Sequence, residues 1–489
     1  MLFNSYIFVL LFLPLSLIGY FLCNRKNYTL GKAFLLGMSL WFYAYFNIQY
    51  LPIIVGSILL NYACSWGLIN REKTVEKRLI LLVALLANFG ALFYFKYYDF
   101  FIENINIVFR SSFTLKHLVL PLGISFFTFQ QVSYVIDSYK GEVPQYNMLD
   151  YALFVTYFPQ LIAGPIVTHD EIVPQFADTS KKHLQFESFS KGIYAFAFGL
   201  AKKVLIADTF GAAVEWGYAN VEGLNSTNAI LLMLFYTIQI YFDFSGYCDM
   251  ATGIGKMFNI DITENFNSPY RALTIMDFWK RWHITLTRFF TKYVYIPLGG
   301  SRKGKFRTCV NTLIVFVVSG LWHGANWTFL FWGLLHGIAS VINRLFKPKI
   351  ESWHPAFNWL CTFLFVNVGW VYFRANSISQ GTQLLKQIGK MEFGAIAENL
   401  ASPFMLSEIK AFVQGLDMLG LPGSVIFAPQ RTMICWLFFA IFAVLFMKNT
   451  NERIDAFKPT IGRALTSVIV LVWCILSFAG VSVFLYFNF

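Results

Sequence analysis

Runs of about 20 mostly apolar residues recur along this chain, each as long as a helix needs to cross a hydrocarbon core. They fall at 3–23, 49–69, 78–97, 118–136, 149–167, 191–209, 227–250, 326–345, 355–373, 432–448 and 464–486, with shorter runs at 33–47 and 309–322. Inside lipid a backbone must satisfy its own amides, so such runs can only be helices. The composition agrees: of 489 residues, 57% are apolar, 19% aromatic and only 13% charged. A soluble protein of this size could not cover its surface with so few charges. A cytosolic globular enzyme, a disordered chain and a secreted disulfide scaffold are all excluded. The seven cysteines are scattered and form no CxxC, and the histidines show no metal spacing. Residues 2–23 lack a basic start and a small-residue cleavage site, so they read as a first span rather than a signal peptide.

The expected fold is therefore an all-α polytopic membrane protein, one domain over 1–489, with roughly 11–13 spanning helices. Two stretches do not read as spans. Residues 257–308 mix polar and aromatic side chains and suit a re-entrant or interfacial segment. Residues 376–425 suit a loop with short amphipathic helices. Pro121-Leu122-Gly123 and Gly164-Pro165 interrupt apolar runs. Irregular backbone at that depth is either a packed kink or the wall of a wet cavity. Lys and Arg beside the spans set the orientation. Arg25, Lys26 and Lys32, then Arg71, Lys73, Lys77 and Arg78, then Lys448, Arg453 and Lys458 mark cytoplasmic loops. Both termini are then expected outside.

The net charge of +12 is unevenly placed. Residues 277–307 hold Lys280, Arg281, Arg288, Lys292, Arg302, Lys303, Lys305 and Arg307 against a single acid, Asp277. Trp279, Trp282, Phe289, Phe290, Tyr293 and Tyr295 are interleaved with them. Such a mixture can meet phosphates and stack on a planar base, or it can rest on anionic lipid. Both readings stand on the residues alone.

Leu321-Trp322-His323-Gly324-Ala325-Asn326-Trp327 opens another apolar run. An ionisable residue there is a functional hypothesis by default. A desolvated neutral imidazole can take a proton from a hydroxyl, and Asn326, one turn on, can orient the ring if 323–326 is helical. A histidine hydrogen-bonded to a carbonyl at a helix break would look the same. His336 does not share a face with His323 and reads as structural. Asp243 and Asp249 end another run, and Arg271, Arg281 or Lys280 are the expected ion-pair partners.

Taken in order, several motifs resemble one family. They are Asn265-Phe266-Asn267-Ser268-Pro269-Tyr270-Arg271-Ala272, Asp277-Phe278-Trp279 through Trp282-His283-Ile284, Tyr295-Ile296-Pro297-Leu298-Gly299-Gly300, and Trp322-His323-Gly324 with Trp327. Together with Pro121–Phe129, Phe158–Pro165, Asp243–Asp249 and the ending Phe484–Phe489, they resemble the membrane-bound O-acyltransferases, specifically the bacterial alginate and peptidoglycan O-acetyltransferase branch. The resemblance implies a ring of helices around a tunnel, with His323 as the catalytic histidine and His283 as a second functional position. Trp279, Trp322, Asn326 and Asp243 would support them. It implies acetyl-CoA as donor on Lys280, Arg281, Arg288, Arg302, Lys303, Lys305 and Arg307, and no permanently bound cofactor or metal. It also implies a polysaccharide acceptor outside a bacterial cytoplasmic membrane, a separate extracytoplasmic SGNH-type acetyltransferase as partner, and contact with membrane lipid but not with nucleic acid. One departure is that related members often carry Arg-Asp-Tyr where this chain has Thr291-Lys292-Tyr293.

The tail Tyr486-Phe487-Asn488-Phe489 suggests either an interfacial aromatic belt or a relay in which the Tyr486 hydroxyl carries acetyl. Rival readings are acyl transfer of another kind, such as D-alanine to teichoic acid, a transporter, and a non-catalytic scaffold for polysaccharide export. A transporter predicts repeat symmetry and charged pairs within several spans; no repeat is visible in the sequence.

Overall fold

In the computed structural model, residues 1–478 and 484–485 are described. Among them the regular structure is helical, apart from one isolated antiparallel bridge between Phe266 and Trp282. The first helices are α1 (Phe8–Lys26), α2 (Tyr28–Ala44), α3 (Ile48–Asn70) and α4 (Thr74–Phe109). Next come α5 (Ile124–Lys140), α6 (Met148–Thr156), α7 (Phe158–Leu161) and α8 (His169–Ala177). Then α9 (Phe186–Ala201) runs through a π-helical turn into α10 (Asp208–Ala219), ahead of α11 (Ser226–Met257). The short α12 (Ile275–Arg281) and α13 (Ile284–Phe290) precede α14 (Gly304–His323) and α15 (Trp327–Leu345). The chain continues as α16 (Lys347–Glu351), α17 (Pro355–Arg374), α18 (Ile378–Gly389), α19 (Glu398–Ala401), α20 (Ser407–Met418) and α21 (Gly423–Ile426). It closes with α22 (Pro429–Phe446), α23 (Thr450–Asp455) and α24 (Ile461–Leu476).

Seven of the described helices are long and apolar enough to cross a membrane: α1, α3, α4, α11, α14, α17 and α22. The sequence counts more spans than this, for three reasons. Some runs are shorter as helices, as with 464–486, whose helix stops at Leu476. The 118–136 run begins its helix only at Ile124, because Gly123 takes a left-handed φ of 72° after Pro121. The 149–167 run breaks at Tyr157 and again after Leu161, and the backbone through Gly164-Pro165 is buried in protein, as membrane depth requires. The weak run 309–322, by contrast, becomes the full-length α14. Between Met257 and Gly304 the α-helices are seven residues long, with α13 continuing as a π-helical turn over Thr291–Tyr295, and α18 to α21 occupy the 376–425 region.

α11 lies at the centre, with 89% of its apolar stretch buried against 17% for α4, which faces outward. Several charges inside the bundle are paired. Lys32 meets Asp150 at 2.6 Å, and Lys202 meets Asp249 at 2.5 Å. Lys203 bridges Asp243 at 2.7 Å and Asp208 at 2.8 Å. Asp243 therefore pairs with the neighbouring α9–α10 turn, not with the basic segment. Arg281 pairs instead with Asp277 at 2.9 Å, and Arg271 donates to the Met447 carbonyl at 2.5 Å. Lys32, an orientation marker in the sequence, is likewise a buried ion-pair partner.

α14 and α15 form a close hairpin. A Cβ built on Gly320 would collide with the Phe329 carbonyl, and one on Gly333 with the Phe316 carbonyl. Small residues at such crossings let backbones approach in lipid, where packing rather than the hydrophobic effect drives association. Gly320→Ala should therefore destabilise the protein by about 1–3 kcal/mol through overpacking, despite alanine's better helix propensity. Gly37→Ala, in α2 where a Cβ meets open space, should be neutral or stabilising. Thermal melting of both variants in detergent checks the contrast.

Candidate active site

His323 is the last residue of α14 and is 4% exposed. Its ring packs edge-on against Trp322, Trp332 and Phe373, with centroids 5.0, 5.2 and 5.2 Å away. α15, which carries Trp332, starts with Asn326 as its cap. The Asn326 side chain accepts from Thr328 N at 3.0 Å and donates to the Asn376 carbonyl at 3.2 Å. Since α14 ends at His323, the helical turn that would have aimed Asn326 at the imidazole does not form. Asn326 holds α15 to the start of α18 instead.

The second histidine reaches the first from a strained turn. His283, fully buried, joins α12 to α13 with a left-handed φ of 46°. A non-glycine residue adopts that conformation at a cost, which surrounding contacts must offset. Here Asn265 supplies them. Its Oδ1 accepts from Thr285 N at 3.2 Å and Thr285 Oγ1 at 2.9 Å, and it lies 3.1 Å from His283 Nδ1. The Thr285 N–H identifies that atom as the amide oxygen, so His283 Nδ1 carries the proton toward it. The two imidazole centroids stand 6.4 Å apart.

Two cavities flank this pair. The larger, about 290 Å³, runs along α14 from Thr312 to Ser319, one turn short of His323, with Lys280 and Arg344 on its wall. The rest of its lining is largely apolar, including Trp279, Leu286 and Phe316. The smaller, about 40 Å³, is lined by His323 and Trp322 together with Lys96, Pro121, Gly123 and Ser125. The cavities share no lining residue. Between them, Trp279 packs on Trp332 at 5.7 Å and Trp332 on His323 at 5.2 Å. A buried histidine pair thus stands between an apolar, cation-marked cleft and a small one that holds Lys96 and Ser125, an arrangement suited to moving a group between two compartments.

The family model for membrane-bound O-acyltransferases matches residues 110–379, which contain both histidines. The chain belongs to the membrane-bound O-acyltransferase family. A peptidoglycan O-acetyltransferase of Helicobacter pylori is 40% identical, over 100% of this chain and 98% of that protein. A probable alginate O-acetylase of Pseudomonas putida is 40% identical, over 77% of this chain and 78% of its own. A teichoic acid D-alanyltransferase of Bacillus subtilis is more distant, 26% identical over 53% of this chain.

Within this acyltransferase the basic segment divides. Lys280 lines the large cavity, whereas Arg281 is held by Asp277 and Arg288 by Glu171 at 2.7 Å. Arg302, Lys303, Lys305 and Arg307 are exposed around the start of α14 and line neither cavity. Trp279 lines the large cavity and donates its indole N–H to His336 Nδ1 at 3.2 Å, so His336 supports a lining residue. Tyr486 lies outside the described residues. The Thr291-Lys292-Tyr293 departure is answered from α5: Lys292 meets Asp137 at 2.9 Å, and Tyr293 OH donates to the same carboxylate at 2.6 Å. Partial burial works against the charged Lys292 amine, but Asp137 and Glu142 hold its pKa above the ordinary lysine value.

Sequence reading passed over Arg344 and Lys96. Arg344 lies at the end of the apolar run 326–345, and Lys96 lies at the end of the run 78–97. Asn265 appeared only inside a motif. Replacing it with alanine removes the acceptor for both His283 and Thr285, and loosening a reacting group by about 1 Å can cost on the order of 100-fold in rate. Asn265→Ala should leave the protein folded and lower acyl transfer by at least roughly tenfold, while Asn265→Asp, which keeps an acceptor, should lose less. Acyl-transfer rates of the purified variants provide the check.

Proposed function

We propose that this protein transfers acetyl from cytoplasmic acetyl-CoA to an extracytoplasmic acceptor, with His323 as general base, for O-acetylation of peptidoglycan. The single observation carrying this reading is a buried histidine pair flanked by separate cavities, one of them marked by cations. The full-length similarity to the Helicobacter pylori enzyme favours peptidoglycan over alginate, whose enzymes match over 77% of the chain. The setting is a bacterial cytoplasmic membrane, with both termini outside.

Acetyl-CoA enters the larger cavity. Its phosphates meet Lys280 and Arg344, and the pantetheine arm follows the apolar wall toward Ser319. The acceptor hydroxyl approaches through the smaller cavity. His323 takes its proton as the oxygen attacks the thioester carbonyl. The tetrahedral intermediate collapses, the C–S bond breaks, and the CoA thiolate takes the proton back from the imidazolium. With its Nδ1 proton on Asn265, neutral His283 presents a lone pair at Nε2. It therefore positions the donor or the acceptor proton rather than donating to an oxyanion. The acceptor at this step is the Tyr486 hydroxyl or a sugar, and a separate SGNH-type acetyltransferase completes delivery outside.

His323→Ala should abolish transfer in a protein that still folds. Lys280→Ala and Arg344→Ala should each raise KM for acetyl-CoA by roughly tenfold, as expected for losing a charge-assisted hydrogen bond, with kcat little changed. Neutralising the four exposed cations at 302–307 should have a smaller effect that added salt erases. A larger effect from those four would move the donor site to the surface. Tyr486→Phe keeps the ring and removes the hydroxyl; full acetylation in that variant would eliminate the relay.

A further inference from the structure

An α-helix leaves its last four carbonyls without intrahelical donors, and in an apolar interior each must find one. Many helices solve this with a left-handed glycine that folds the next amides back. α14 does not, because Gly324 is extended, with φ −166° and ψ 152°. Its N–H reaches only the Gly320 carbonyl, at 3.4 Å. The other three carbonyls are closed by α4, more than 220 residues away in sequence. Tyr97 OH donates to Leu321 O at 2.9 Å, and Lys96 Nζ donates to Trp322 O at 2.6 Å and His323 O at 3.2 Å. An ammonium has three N–H donors, and the third reaches Ser125 Oγ at 3.4 Å.

Two further observations single out Lys96. It lies in a π-helical turn, Phe93–Tyr97, which interrupts an otherwise regular helix. Such turns are rare and concentrate at functional sites; here the wider winding lets two consecutive side chains reach one helix end. Lys96 also lines the same small cavity as His323. Its amine sits at the negative end of the α14 dipole, where positive charge is favoured.

We propose that Lys96 is a positioning residue for His323. By holding the peptide carbonyls on both sides of the His323 Cα, it sets the direction in which the imidazole meets the acceptor hydroxyl. The inference rests on the reading of His323 as general base. A lysine that merely closed a helix end would affect stability; one that aims the base would affect the chemical step with donor binding intact.

The test compares purified Lys96→Met, Lys96→Arg, Tyr97→Phe and His323→Ala, measuring CoA release from acetyl-CoA in the presence of acceptor, together with thermal melting. Lys96→Met should lower kcat by roughly tenfold to hundredfold, with KM for acetyl-CoA within about twofold of the parent. Tyr97→Phe, which frees one carbonyl farther from His323, should lose less. Lys96→Arg, which keeps donors on a longer side chain, should recover part of the rate. If Lys96→Met does not fold, Lys96→Gln, which retains amide donors, takes its place with the same expected split. A kcat within about twofold of the parent, or a loss that tracks only the folded fraction, would overturn the proposal. His323→Ala inactive beside an active Lys96→Met would refute Lys96 alone; His323→Ala at the parental rate would refute the base as well.

Discussion

The structure turns on a helix that ends inside an apolar protein. α14 brings His323 into the interior and stops there, and the carbonyls it leaves open need donors from elsewhere in the protein. Everything around the site answers that constraint. α4 supplies donors from a π-helical turn, Gly324 leads the chain out extended, and Asn326 restarts it as α15. The glycines at the hairpin crossing let α15 pack backbone to backbone against α14, which brings Trp332 onto the imidazole. An ionisable side chain at that point is costly for a membrane protein, and the packing around it gives it one orientation.

The same constraint governs the other buried charges. Lys203 with Asp243 and Asp208, Lys202 with Asp249, and Lys32 with Asp150 are compensated in pairs. Breaking one partner of such a pair leaves an uncompensated charge, whose cost far exceeds the net stabilisation from making the pair. The first two sets tie α11 and α10 to the α9–α10 turn, and the third ties α2 to α6. Asp137 plays a similar part for the segment after α13, gathering Lys292 and Tyr293 together with His169 onto one carboxylate.

Charge in the 277–307 segment serves more than one purpose. Arg281 and Arg288 are held by local carboxylates, four cations face outward at the start of α14, and only Lys280 reaches the large cavity. Arg344 joins it from α15. Arg288 and Lys292 line a different cavity, shared with Asp170 and Glu171. The basic residues of this one stretch therefore do not converge on a single site.

Much was legible in the sequence alone. The length and spacing of apolar runs determined a helical membrane protein, because lipid admits few other backbones. The ordered motifs pointed to the family, and that resemblance singled out His283 and His323, whose rings the structure brings within 6.4 Å. Helix ends were less legible: the 118–136 and 149–167 runs break where Gly123 and Tyr157 leave helical geometry, and apolarity alone does not report that. Asn326, placed beside His323 by helical spacing, turned out to cap the next helix, because the turn between them is extended. Only the tertiary structure paired Asp243 with Lys203, set Arg344 beside Lys280 and brought Lys96 to the His323 carbonyl. Sequence patterns record periodicity over a few turns of one helix, whereas a contact between residues more than 200 positions apart is decided by how whole helices pack.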